Sequence, residues 1–491
     1  MCACWLALQA TRSAAFSLLG PYEAWMQPSL CFRLPVTPLY GQPGDIGGPM
    51  CISNGYRWNV PVVTYGFDQS FLNFFGTNGV AAVEGAIQML NALPSASSVV
   101  LTNYSDDSQL INPQGQSESL YDLKSVTLSL LLEQLGLDSP TRYAYVLNVF
   151  SNEPGGPVFN VIMRNYDPES FSPTPWVNGF EYGYEIWSGA PEGVDEAEAI
   201  MIDGDIITPL FSAVADNRLD IGGFYTGLTA DDVGGLCYLF STNNVHYETL
   251  LNGVSGVGTN AVSWVNGAWR PGIEKITFVP HLTGASPGQF LAMTSQYTDT
   301  YITNGGLVQQ QVQRIISQPD FLFCAGDAGK EIPYVLPFAR TGTSNWINNA
   351  ALNGNPTGGG PGVIQPPLSI TFEKLGQTLY TEGQETSLAE WGFWGTYDQS
   401  PNPPIVYPLP QSGTNQLLFR LWLPEGAPYW VASGRSVELS ASGQTGASFV
   451  LQSSTNLTDW VGLATNQING SILTLFDYSP APGRFFRLVP Q

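Results

Sequence analysis

Forty acidic residues against seventeen basic ones give this chain a net charge of −23 and limit the chemistry open to it. The densest acidic run is EGVDEAEAIMIDGD, residues 192–205. Within it Asp195, Glu196, Glu198, Asp203 and Asp205 offer carboxylate oxygens of the kind a hard cation such as calcium takes. No D-x-D-x-D-G loop is present, and a solvated acidic face uses the same residues. Glycoside hydrolysis is a second option, since it needs two carboxylates at a set separation. Glu181, Glu185, Asp203 and Asp205 lie in aromatic company, yet forty acids bring some pairs together by number alone. Nucleophilic catalysis needs a base beside its Ser, Thr or Cys. The two histidines, His246 in NNVHYETL and His281 in FVPHLTG, lie near no G-x-S-x-G turn and read as packed or polar residues. Trp391 and Trp394 of EWGFWG have the flat faces that stack on sugars, and equally the bulk that fills a core.

The elements that position these residues are organised around Tyr56–Pro94. Trp58–Tyr65 alternates as a strand, with Pro61 holding it to an edge or a strand start. Phe67, Phe71, Phe74 and Phe75 follow as an aromatic knot, and Gly76–Gly79 breaks the chain. Val80, Val83, Ile87 and Leu90 then repeat at helical spacing until Pro94. A second helix is expected from Leu120 to Leu135, ended by Gly136 and Pro140. Strands are expected at 98–103, 142–150, 157–164, 180–187 and 275–280. Thr229 and Asp232 open a further helix, the Thr as N-cap and the Asp as the charge its dipole favours.

The domain reading is an irregular Pro-rich arm over 1–55, an α+β body over 56–347 and a Gly/Pro/Asn-rich linker over 348–367. All-β modules follow, one β-rich over 368–430 and one resembling a β-sandwich over 431–491. The first 15 residues read as the remnant of a signal peptide, with Ser13-Ala14-Ala15 before Phe16. Only 12% of residues are charged, about half the usual share, a make-up that points to a secreted protein in extracellular or cell-surface surroundings. Net negative charge without any Lys/Arg run excludes nucleic acid as a partner, and no apolar stretch nears the ~20 residues of a membrane span. Cys31 and Cys51 are the expected disulfide, closing a short Pro/Gly-rich loop, while Cys237 reads as a buried free thiol. Six cysteines allow 15 connectivities.

Residues 436–491, with Leu451–Trp460 (LQSSTNLTDW) and the closing Phe485-Phe486-Arg487, resemble the small C-terminal β-module of many large secreted bacterial proteins. The resemblance implies export and surface placement rather than catalysis. DIGGP, YRWNVP and DDVGGL resemble stretches of long uncharacterised proteins that carry the same module. Matrixin-like metalloproteases are similar in their opening strand and amphipathic helix and in an Asp-Asp helix like Asp231-Asp232-Val233-Gly234-Gly235. Such an enzyme needs H-E-x-x-H between those landmarks, to set two imidazoles and a Glu on one helix face. The motif is absent, because both histidines follow the Asp-Asp helix.

Taken together, the residues point to a secreted, non-catalytic structural or surface-assembly protein that associates with itself, with no cofactor beyond calcium. The alternative is a carbohydrate-binding adhesin or an acidic-residue glycoside hydrolase. Peptide mapping without reduction is expected to recover Cys31 and Cys51 as one linked pair; both as free thiols would defeat the pairing.

Overall fold

The fold is described from a computed structural model. It describes residues 14–20, 25–26, 48–53 and 57–326, the last without 113–115, 117–119, 154–155, 188–195, 203–212, 217–218, 220–221, 285, 287 and 305. Beyond these it describes 340–341, 346–347, 363–364, 366–373, 392–394, 406–407, 420–422, 429–431, 437–442, 448–456, 458–467, 472–477 and 484–490. Helices and strands are mixed among them, with more strand than helix.

Four segments with near-continuous apolar runs lie side by side as a parallel sheet. They are β2 (Val62–Phe67), β6 (Thr277–Pro280), β9 (Phe321–Gly326) and β10 (Leu368–Glu373), in the order β6-β2-β9-β10. Such runs suit strands covered on both faces. Helix α1 (Gln69–Ala92) packs on this sheet, burying Phe71, Phe75, Ala82, Val83, Ala86, Ile87 and Leu90 at steps of three and four. Asp68 caps it by accepting from Phe71 N at 2.8 Å. The break expected at Gly76–Gly79 is a kink. Gly76 alone is non-helical, at φ 61° and ψ −160°, and helix continues on both sides of it. At that kink a Cβ on Gly79 would stand 2.2 Å from Phe75 Cβ, so the close approach requires glycine.

Helix α2 (Leu123–Leu135) packs against α1 and is buried on nearly every side, as its leucine content demands. Asp122 caps it at Ser125, and Gly136 ends it in the left-handed conformation at φ 110°. A single turn, α3 (Pro140–Tyr143), follows. Strand β1 (Phe16–Gly20) lies antiparallel to 137–138, 165–166 and 48–49. Ala15, Phe16, Leu18, Leu19, Met26 and Met50 are all buried, so these parts of the arm dock on the chain's own body and include a regular strand.

Three other expectations are corrected. Ser98–Asn103 is not a strand but part of two 3-10 turns, 96–98 and 101–103. The opening strand begins at Val62, because Pro61 cannot donate to a ladder; Trp58 is fully buried instead, donating to Gln134 O at 2.8 Å. Leu368–Glu373, expected to open a separate module, runs parallel to β9 in full register from Phe321↔Leu368 to Gly326↔Glu373. The expected boundary at 367/368 therefore runs through a sheet of the body. Gly392–Trp394 likewise pairs with Leu120–Asp122. Sequence alone could not show this, since a buried parallel strand and a module strand carry the same β-branched pattern.

Further on, strands 420–422, 437–442 and 472–477 form one sheet, and 429–431, 448–454, 461–467 and 484–490 another. The LQSSTNLTDW run and the closing FFR meet there. Arg487 lies 4.1 Å from the ring centre of Trp460 and donates to Gln452 at 2.8 Å, while Asn456 Oδ1 accepts from the amides of Thr458 and Asp459 in an Asx turn. Those conspicuous residues hold a turn and a strand pair together.

Phe372 contacts Phe71, Phe75 and Phe323 with ring centres 5.7–6.3 Å apart. Phe372→Ala is expected to destabilise the body by about 3–5 kcal/mol. Denaturant unfolding followed by tryptophan fluorescence checks this; an unchanged main transition would return the strand to a separate module.

Candidate binding face

Five strands downstream of the Asp-Asp helix form a second sheet: β3 (His246–Thr249), β4 (Val254–Gly256), β5 (Gly267–Arg270), β7 (Met293–Thr303) and β8 (Gly306–Ile316), in the order β3-β5-β7-β8-β4. Strands β7 and β8 are one hairpin, in register from Met293↔Ile316 to Thr303↔Gly306. Alternation puts odd-numbered residues of β7 on one face with even-numbered residues of β8. That face turns inward.

The inner face carries the charges. Arg270 grips Asp299 with two bonds of 2.8 and 2.9 Å, and its remaining donors reach Glu248 O and Val265 O. Gln310 bridges the same Asp299 and the Val265 backbone. Arg57, from the segment before β2, pairs with Glu248 at 2.8 Å and donates to Leu239 O, Asn244 O and Arg270 O. Arg314 pairs with Asp320, whose carboxylate also takes the Thr64 amide of β2 at 2.8 Å. All of these groups are at least nine-tenths buried.

The outer face carries none. Its five rows are Ile302/Leu307, Thr300/Gln309, Thr298/Gln311, Gln296/Gln313 and Thr294/Ile315, ten positions without an ionisable group. Trp269 extends the first row, opposite Ile302, and Tyr247 stands opposite Trp269 with the rings edge to face at 5.8 Å. Leu307 is 68% exposed, Ile315 55% and Trp269 54%. Gln311 Nε2 donates to Thr298 Oγ1 at 2.8 Å, a cross-strand pair in the middle row. Sequence reading missed this face. Its signal was the alternation of Thr and Gln across TSQYTDTYI and LVQQQVQRI, which shows as a neutral stripe only once the strands are paired.

The residues singled out by sequence are not gathered in one place. Asp195, Asp203 and Asp205 lie outside the described residues. Glu196 and Glu198 are on strand Glu196–Met201, where Glu198 stands opposite Glu185 of Phe180–Trp187. Cys31 lies outside the described residues, and Cys51 is half-buried with Sγ 3.5 Å from Ser53 Oγ. Trp391 lies outside them too, and Trp394 ends the short strand beside Asp122. Both histidines are packed. His246 is bonded to Asn244, and His281 Nδ1 stands 3.3 Å from Thr64 Oγ1. Cys237 is a half-buried free thiol, pushed up to about 12 by desolvation. Among the described residues no group of three or more His, Cys, Asp and Glu could hold a metal ion.

The Asp-Asp helix, α4 (Ala230–Phe240), opens with the expected Thr229 cap, reciprocated by Asp232 as a capping box. Asp232 accepts from the amides of Thr229, Val214 and Ala215, and Asp231 from those of Ala15 and Asn178. Asp216, nearby, takes the hydroxyls of Ser139 and Thr141 at 2.6 Å. Burial raises Asp231 well above the usual carboxylate range and raises Asp232 as well, against the pull of those donors. These carboxylates tie loops together. In the landmark interval where a matrixin-like enzyme needs its zinc helix stands α2, whose 13 residues include no histidine.

No family model, curated protein or solved structure matches this chain.

Burial, with a smaller contribution from Arg57, pushes His246 down to about 3 from its ordinary 6.5. The unfolded chain then binds the extra proton between those values, so this contribution to stability is complete above pH 6.5 and is lost as pH falls toward 3. Asp231 and Asp232 work in the opposite sense, being fully stabilising only below their unfolded value and losing that as pH rises through their raised ones. Comparing His246→Gln with the parent isolates the histidine. Urea unfolding midpoints at pH 7 and pH 4.5 are expected to differ less in the variant; equal differences would mean the imidazole is accessible to protons in the fold.

Proposed function

We propose that this is an extracellular, non-catalytic structural or surface-assembly protein whose C-terminal strands close into a sandwich and whose working surface is the outer face of the five-stranded sheet. One observation carries the reading: on a chain of charge −23, this sheet turns every ionisable side chain of its β-hairpin inward and presents hydroxyls, amides and a few apolar groups outward. Exposed surfaces are ordinarily where charge sits, and burying it is expensive unless each group is paired. Ion pairs behind a neutral face make sense when the face must meet another surface without like-charge repulsion. Among the described residues no helix is long and apolar enough to cross a membrane.

A second reading draws on Trp269. Its indole is half-exposed beside Tyr247, next to the hydroxyl and amide of Thr300 and Gln309, which is the make-up of a sugar-binding platform. The hydrolase version draws nothing from this sheet, whose described inner-face carboxylates are engaged by arginines.

Sedimentation velocity over a concentration series separates the two. Self-association that strengthens with added salt is expected, because salt screens the repulsion between acidic copies. A monomer at every concentration that binds a glycan array, and loses that binding in Trp269→Ala, would replace assembly with carbohydrate recognition.

A further inference from the structure

Resting on the self-association reading, we propose that the outer face docks on the same face of a second copy of this chain, about a two-fold axis through its middle row, Thr298/Gln311. Two observations choose that occupant, and the size of the face sets how strongly it binds. First, the ten outer positions of β7 and β8 hold no ionisable group, while the charges directly behind them are paired as Arg270 with Asp299 and Arg314 with Asp320. A second copy, itself at −23, therefore meets neither bare charge nor an unbalanced field across this patch.

Second, both ends of the hairpin's outer face carry apolar groups, with Trp269 extending one of them. Ile302 and Leu307 lie at one end and Ile315 at the other, with Thr and Gln in the three rows between. A two-fold axis along the middle row sets Ile315 of one copy against Leu307 of its partner and Thr294 against Ile302, so an apolar pair closes each end. In the centre Thr298 and Gln311 meet their own counterparts. A primary amide both donates and accepts, so like can pair with like there without an orphaned group.

The size is that of a weak contact. Five rows spaced two residues apart span roughly 27–34 Å, and three to four strands about 14–19 Å, so each copy contributes on the order of 500 Å². Stable dimers commonly bury ~800 Å² per partner. The contact therefore forms only at high concentration or where many copies add their contacts, as in a coat or filament.

The experiment uses the full-length chain. Under mild oxidation, Thr298→Cys is expected to form a disulfide-linked dimer beyond any background of the parent, while Thr294→Cys is not, because only the middle row meets itself. Gln311→Glu, which places like charges together at the axis, is expected to weaken dimerisation about tenfold or more in sedimentation equilibrium. All three substitutions are at exposed positions, and circular dichroism confirms folding. If the parent associates but Gln311→Glu associates equally well, or if both cysteine variants cross-link alike, copies meet through another surface and this inference fails while the assembly reading stands. A parent that stays monomeric into the millimolar range overturns both, and glycan binding that Gln311→Glu abolishes would then identify the face as a sugar site.

Discussion

Arg270 sits where three strands meet, with Asp299 across one strand gap, the Glu248 carbonyl across the other and Arg57 beyond. The resulting line, Asp299–Arg270–Glu248–Arg57, is the constraint on which the second sheet depends. It joins the hairpin β7–β8 to β5 and β3, and then to the segment leading into the central sheet. Arg314 and Asp320 make a parallel tie, from the hairpin directly to Thr64 of β2. Removing one member of such a pair leaves a buried charge unmatched, at about 3–5 kcal/mol. Those ties also fix which way the hairpin faces. A one-residue slip of the hairpin would turn Asp299 and Arg314 outward, leave Arg270 and Asp320 buried without their partners, and bring the Thr/Gln rows inward.

A different device gathers segments from distant parts of the chain. Where α4 begins, Asp231 and Asp232 collect backbone amides from residues 15, 178, 214, 215 and 229, and Asp216 collects hydroxyls from 139 and 141. Segments separated by up to 216 positions are drawn to one helix end, with β1 and α3 beside it. A helix N-terminus favours negative charge, and several N–H donors per carboxylate offset part of the cost of burial. Raised carboxylate pKa values here mark structural ties; perturbed titration by itself is no sign of catalysis. The aromatic core of Phe67, Phe71, Phe75, Phe323 and Phe372 is contributed by β2, α1, β9 and β10.

The strand β10 shows how a long connection misleads a linear reading. Gly, Pro and Asn between 348 and 367 have linker composition, and a domain boundary is the usual inference. Parallel pairing needs a long crossover in any case, so the same composition also serves a strand that returns to its own sheet. What decides between the two is whether the strand finds an edge to extend, and β9 offers one.

Local chemistry was enough to reveal the features set by neighbours in the chain. The Thr229/Asp232 cap, the Gly136 stop, the one-face apolar stripe of α1 and the hairpin 146–162 follow from residues a few positions apart, and each is present. The low charge fraction, the lack of a basic run and the missing H-E-x-x-H were also plain in the sequence. Pairings between distant residues were not. Nothing near Arg57 names Glu248, 191 positions away, and nothing near Leu368 names Phe321. The neutral face belongs to the same class. Along the chain TSQYTDTYI and LVQQQVQRI each set one charged residue among uncharged ones, and only the pleat and register of the paired strands place Asp299 and Arg314 on one side and the outer threonines and glutamines on the other.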